Sequence, residues 1–234
     1  MMLSHEDFED QIRFEDGSIN LLVIENRAEM SKLVGELVRQ SEGLDGGFSL
    51  FEGAEELEIS KALKIIMNPF SLFEQLKDID SGAISILKKS ILGEGNYEKA
   101  ASLIAEISHF INHVLREEDS RLTVGEQPSS AMLIKLMDVH ASLSCDSVVE
   151  SICDYVSLCK KYTKSRVYVF VNLKSFLSDC EISEFYKFAM YEKIDLLIVE
   201  SSEKALLECE NETIIDADLC EIHRKGGNNK VFEV

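Results

Sequence analysis

The sequence Arg166-Val-Tyr-Val-Phe-Val-Asn172 returns, after a polar break and an amphipathic segment, as Asp195-Leu-Leu-Ile-Val-Glu200. Both runs are short, rich in β-branched and aromatic residues, and apolar without alternation, the pattern of strands covered on both faces. Between them Ile182, Phe185, Tyr186 and Ala189 recur at three- and four-residue spacing, and Ser178 with Glu181 forms a capping box that starts a helix. Strand, helix and strand of this length make a crossover unit, so the two strands are expected to be parallel with a right-handed connection.

Upstream, residues 21–24 (Leu-Leu-Val-Ile) read as a further buried strand. Asn26 and Glu29 then cap a helix whose stripe is Met30, Leu33, Val34, Leu37 and Val38, ending at Gly43. Phe48, Leu50, Leu57 and Ile59 alternate with polar residues around Gly53, as in a half-exposed hairpin, and residues 63–67 make another strand, stopped by Asn68-Pro69. From Phe73 helical spacing takes over. Ile84, Leu87 and Ile91 mark one helix, and a long helix then runs from Tyr97 towards Glu118 with the stripe Ala100, Leu103, Ile104, Ile107, Ile111 and Val114. Residues 121–124 are a candidate short strand, and Ser129 is placed to cap a helix through Met137. Ser147 and Glu150 cap the helix that leads back to Arg166. After Glu200 the pattern predicts a short helix at 204–207, a last strand at 219–222, and a tail that frays from His223. The fold class is α/β with a mostly parallel sheet. Residues 1–72 and 139–234 form the α/β body, and residues 73–138 a helical lobe inserted within it.

A chain of 234 residues with only two prolines and an ordinary apolar fraction can bury a sizeable core from end to end. Its formal net charge of −19 argues against a conventional basic nucleic-acid surface and suits divalent cations. The six cysteines contain no Cys-x-x-Cys pair and read as reduced thiols without zinc. His5, Glu6, Asp7, Glu9 and Asp10 stand where a signal peptide would be basic and apolar, and no apolar run reaches bilayer length. A cytoplasmic protein with no membrane partner is expected.

A phosphate loop needs glycine N–H groups and a lysine, but the turn after Ile24 reads Glu25-Asn26-Arg27-Ala28, and the strand from Arg166 ends in Asn172 where hydrolases hold a magnesium-binding Asp. Nucleotide hydrolysis is therefore disfavoured. Glu106, His109, His113 and Glu117 offer metal-ligand spacing on one helix, yet they lie opposite its apolar stripe, as a solvated polar face does. Glu117, Glu118 and Asp119, with Glu126 after a glycine, gather carboxylates where that helix ends. Hard divalent cations take such oxygen ligands; a solvated acidic turn is the alternative. Lys160, Lys161, Lys164 and Arg166 form the densest basic cluster, with Lys88 and Lys89 a second one. These residues would contact phosphates without reading sequence, or complement the negative ends of their helices. No Ser/His/Asp or Cys/His spacing marks a nucleophile.

Leu21-Leu22-Val23-Ile24-Glu25, Val167-Tyr168-Val169-Phe170-Val171-Asn172 with Phe176-Leu177-Ser178, Leu196-Leu197-Ile198-Val199-Glu200, and Ile214-Ile215-Asp216-Ala217-Asp218 follow one another in a telling order. In that order and spacing, from about residue 11 to 222, the chain resembles the type II-A CRISPR-associated adaptation proteins of the Csn-two family. The resemblance implies an α/β head of degenerate nucleotide-hydrolase-like topology with an inserted α-helical leg, assembled as a homotetrameric ring. It further implies calcium-dependent binding of double-stranded DNA ends during spacer acquisition, without catalysis, beside other CRISPR adaptation proteins and the effector nuclease. Carried onto this sequence, the calcium positions fall at Glu118 and Glu126, with Glu117 and Asp119 as neighbours. The cations available to face DNA are Lys88, Lys89, Lys160, Lys161 and Lys164. The competing class is an enzyme, either a divergent nucleotide hydrolase or a metal-dependent nuclease using the acidic cluster or Asp216 and Asp218. A protein-interaction scaffold is the third reading.

Overall fold

The computed structural model describes residues 1–93, 95–118, 121–122, 129, 132–144, 146–226 and 228–232. In chain order its elements are β1 (Met2–His5), β2 (Ile12–Arg13), β3 (Ile19–Ile24), α1 (Arg27–Ser41), β4 (Phe48–Glu52), β5 (Glu55–Leu57), α2 (Ile59–Ala62), β6 (Leu63–Ile66), α3 (Lys77–Leu92), α4 (Tyr97–Glu118), α5 (Met132–Leu136), α6 (Val148–Tyr162), β7 (Val167–Val171), α7 (Asp179–Tyr191), β8 (Asp195–Glu200), β9 (Glu210–Ile215), β10 (Glu221–Lys225) and β11 (Asn228–Phe232). They fall into two compact units, Met1–Glu74 with Leu143–Val234, and Gln75–Ser142.

In the first unit the main sheet runs β11-β10-β9-β3-β8-β7-β6. The strands from β9 to β6 are parallel to their neighbours, while β10 and β11 close one side antiparallel. The expected crossover pair is present: β7 lies parallel to β8, with Val167 opposite Asp195 and Val171 opposite Val199. Every residue of β7 is buried, because both faces of this strand are covered. On one face Val167, Val169 and Val171 pack with Leu197 and Val199 under Leu33 and Leu37 of α1 and under Leu3, Phe48 and Leu50 of a small antiparallel sheet, β2-β1-β4-β5. On the other, Phe170 meets Phe185 of α7 edge-on, with ring centroids 5.2 Å apart, and α6 lies beside α7 with Ile152, Tyr155 and Val156 buried.

The capping residues act where the sequence places them. Ser178 Oγ accepts from Glu181 N while Glu181 accepts from Ser178 N, Ser147 Oγ accepts from Glu150 N, and Asn26 Oδ1 accepts from Ala28 N and Glu29 N. Each satisfies N–H groups that a helix start leaves without partners. In the second unit α3 packs against α4 and α5, burying Ile79, Ala100, Ile104 and Ile134.

Some local expectations are corrected. Ile59 opens α2 instead of continuing the hairpin. Residues 204–207 form no helix, because Ala205 O and Leu207 N are bonded to the side chains of Lys174 (2.8 Å) and Glu210 (2.7 Å). Leu219 sits in a turn with φ 67°, held by Asp216 Oδ1 accepting from Asp218 N and Cys220 N, so the strand expected at 219–222 starts two residues later, at Glu221, as β10. The chain does not fray at His223 but continues through β10 and β11. Arg121 and Leu122 are not in a strand, and residues 123–124 lie outside the described residues.

Candidate functional site

α4 carries Glu117 and Glu118 in its last turn, both exposed to solvent; Asp119 and Glu126 lie outside the described residues. Two carboxylates at the negative end of a helix macrodipole create a field that a divalent cation would neutralise. One turn earlier His113 Nδ1 lies 3.5 Å from Glu117 Oε1, and Glu106 and His109 are exposed on the same face. Among the described residues no three His, Cys, Asp or Glu side chains converge on a metal position.

The basic residues divide by role. Lys160 Nζ donates to the Glu192 carbonyl and lies 3.3 Å from its carboxylate, which ties the end of α6 to the end of α7. Arg166 is paired with Glu52 at 3.3 Å. Lys161 lies over the Tyr162 ring, 5.1 Å from its centroid, and Lys164 is exposed; neither has an ion-pair partner among the described residues. Lys89 is exposed and Lys88 half-buried near the end of α3, also unpaired among the described residues. Of the four cations in the compact sequence cluster, Lys160 and Arg166 are therefore tied to Glu192 and Glu52, Lys161 and Lys164 have no ion-pair partner among the described residues, and the second unit holds Lys88 and Lys89.

At the start of α1, where an α/β nucleotide site would bind phosphate, the helix is closed by its own cap. Asn26 Oδ1 takes the N–H groups of Ala28 (3.0 Å) and Glu29 (3.2 Å), and Asn26 Nδ2 donates across to Ala217 O (3.1 Å). Glu25 and Glu29 place carboxylates beside it. A phosphate would have to displace this cap and face both charges. Asp216 is likewise occupied, its Oδ1 shaping the turn described above.

Sequence reasoning missed a buried ionic cluster. Asn172, with φ 54°, turns the chain after β7 so that Lys174 folds inward with its side chain only 2% exposed. Its Nζ donates to both oxygens of the fully buried Glu210 (2.7 and 2.9 Å), which also accepts from Tyr186 Oη (2.8 Å) and Leu207 N (2.7 Å). Burial, with the Glu210 charge second, pushes the Tyr186 phenol far up. The available signal was the run Glu210-Asn-Glu-Thr213, too polar to read as an interior strand.

Glu200 closes β8 beside this cluster. Its Oε1 accepts from Lys174 N (2.7 Å), its Oε2 has no partner, and burial raises its pKa. A carboxyl raised in the folded state contributes stability that is full below its ordinary value of about 4.3 and is lost as pH rises through the raised value. A carboxamide at this position does not titrate. The melting temperature of Glu200→Gln relative to wild type should therefore climb between about pH 4 and pH 8; a gap that stays constant in scanning calorimetry over this range would contradict the assignment.

Among the described residues no helix is long and apolar enough to cross a membrane. No curated protein matches the chain. Among solved structures, a bacterial Atm1-family ABC exporter with ATP bound aligns at 10% identity and TM-score 0.39, covering 91% of this chain, which spans 37% of the exporter chain. An ABC transporter ATP-binding protein from Pyrococcus furiosus aligns at 10% identity and TM-score 0.37, covering 91% of this chain and 97% of that one. Scores this low bear on neither fold nor function. Residues 40–219, well over half of the chain, match the family described as CRISPR-associated protein (Cas_Csn2), and the chain belongs to that family.

Proposed function

We propose that this protein is a non-catalytic, ring-forming protein that binds double-stranded DNA ends in a calcium-dependent way during CRISPR spacer acquisition. The family match over residues 40–219 is the observation that carries this reading. The self-capped start of α1 supports a degenerate nucleotide-hydrolase-like head used as scaffold rather than catalyst. Self-assembly as a homotetramer is supported by α4, whose stripe is buried at Ala100 and Ile104 but exposed at Leu103, Ile107, Phe110, Ile111 and Val114.

Electrostatics sets the requirement for metal. A duplex carries one negative charge per about 1.7 Å of axis, and a chain of net charge −19 repels it unless bound cations cancel local carboxylates and lysines gather on one surface. We assign the calcium to Glu117, Glu118, Asp119 and Glu126, and the phosphate contacts to Lys88, Lys89, Lys161 and Lys164, with Lys160 holding α6 in place. The site would work in the cytoplasm together with other CRISPR adaptation proteins and the effector nuclease. Anisotropy titration of a linear duplex in calcium and in chelator tests it. Chelation, or Glu118→Ala with Glu126→Ala in calcium, should weaken binding by about tenfold or more, the equivalent of losing roughly one charge-assisted contact. Equal affinity with and without chelator would contradict the calcium requirement.

A further inference from the structure

β9 lies inside the sheet between β3 and β10, yet its first four residues are Glu210, Asn211, Glu212 and Thr213. Interior strands lose burial energy when they carry polar groups on both faces, and such departures from the local rule mark sites with another task. One face has its explanation: Glu210 holds Lys174, and Glu212 lies 3.7 Å from Arg224.

The other face has none so far. Cross-strand partners share a face of a sheet. The register sets Leu197, Asn20, Asn211 and Lys225 in one row, and Leu22, Thr213 and His223 in the next. The face that carries the apolar core at Leu22 and Leu197 thus turns polar at Asn20, Asn211, Thr213, His223 and Lys225. Asn20 is 7% exposed in a strand that is otherwise apolar, and its Nδ2 donates to Arg13 O at 3.1 Å, fastening the segment around Arg13 to the strand. A cleft of about 300 Å³ lies among these residues at the N-terminal edge of the parallel strands, the opposite edge from Asn26 and α1.

Charge narrows what the cleft can take. His223 is engaged, with Glu221 at 3.1 Å, Asp10 at 3.6 Å and Thr213 Oγ1 at 3.2 Å. Arg224 is bonded to Glu203 at 2.6 Å. Arg13 and Lys225 both line the cleft, both are exposed, and neither has an ion-pair partner among the described residues; of the carboxylates that share the lining, Asp10 faces His223, Glu212 faces Arg224, and Glu15 has no ion-pair partner among the described residues. The lining sets Arg13, Arg224 and Lys225 against Asp10, Glu15 and Glu212, so in a chain of net charge −19 this cleft is locally close to neutral, with carboxamides and a hydroxyl on its floor. The volume, about 300 Å³, sits at the lower bound of small-molecule sites, which suits a small solute.

We infer that this cleft binds a small oxyanion, phosphate- or carboxylate-bearing, between Arg13 and Lys225, with Asn20, Asn211 and Thr213 supplying hydrogen bonds. The inference is independent of DNA binding. Isothermal titration of the full chain at low salt, with inorganic phosphate in one arm and malonate in the other, tests it and separates the two chemistries. At least one anion should saturate one site per chain. Arg13→Gln and Lys225→Gln should each weaken it by about tenfold, as loss of a charge-assisted hydrogen bond does. Asn211→Asp, which adds a carboxylate to the floor, should abolish it. Lys187→Gln, an exposed lysine on α7, should leave it unchanged. Both cations are exposed, so their variants should melt with wild type. Absence of saturable binding in both arms, or equal weakening by Lys187→Gln, would overturn the site.

Discussion

Replacing Lys174 by Met should lower the melting temperature by about 6–20 °C. Glu210 has no exposed side-chain surface and Lys174 is its cationic partner, at 2.7 Å. Removing one member of a buried pair leaves the other charge uncompensated, at a cost of about 3–5 kcal/mol, and a chain of this size loses roughly 2–4 °C per kcal/mol. The substitution also frees Ala205 O, so the irregular segment between β8 and β9 should lose protection from hydrogen exchange first. Lys174→Met with Glu210→Gln should recover part of the loss, since the introduced carboxamide still accepts from Tyr186 while burying no charge. A single-variant shift within about 2 °C of wild type would mean that the pair does not hold this end of the sheet.

The second large effect is expected on assembly. Ile107 and Ile111 stand one turn apart on the open half of the α4 stripe, each 42% exposed, with Phe110 beside them at 64%. Substituting both isoleucines by Glu spares the fully buried contacts of α4 at Ala100 and Ile104 and costs only the covered part of two side chains that are each 42% exposed. Inside a subunit interface, however, each unpaired carboxylate would cost about 3–5 kcal/mol. At about 1.4 kcal/mol per decade that is a hundredfold to several thousandfold loss in association constant for each charge. Light scattering should then report a species smaller than a tetramer with an unchanged circular dichroism spectrum. A variant that still scatters as a tetramer would place the interface elsewhere.

What the sequence reveals is what is local. β7, α7 and β8 were legible because an uninterrupted apolar run and a capping box act within a few residues, and Ser147 and Asn26 announced their helices in the same way. The failures are long-range. Lys174 and Glu210 are 36 positions apart, and nothing in either neighbourhood indicates that they neutralise one another. Because that pair was invisible, Glu210-Asn-Glu-Thr213 did not read as a strand, and residues 204–207 read as a helix although their polar groups are held by the same two side chains. β1 and β2 were too short for periodicity to register. At the candidate site, the carboxylates ending α4 followed from helix length alone, whereas the binding of Lys160 to Glu192, 32 residues away, had no sequence signal.

Threading is the property on which the proposed function depends most directly, since a closed ring can load only over a free end. Binding should be measured in calcium with a linear duplex and with a covalently closed circle of the same sequence. The linear form should be retained and the circle should bind at least about tenfold more weakly, becoming equivalent once it is cut. Equal retention of the two forms would contradict a ring that captures DNA by its ends.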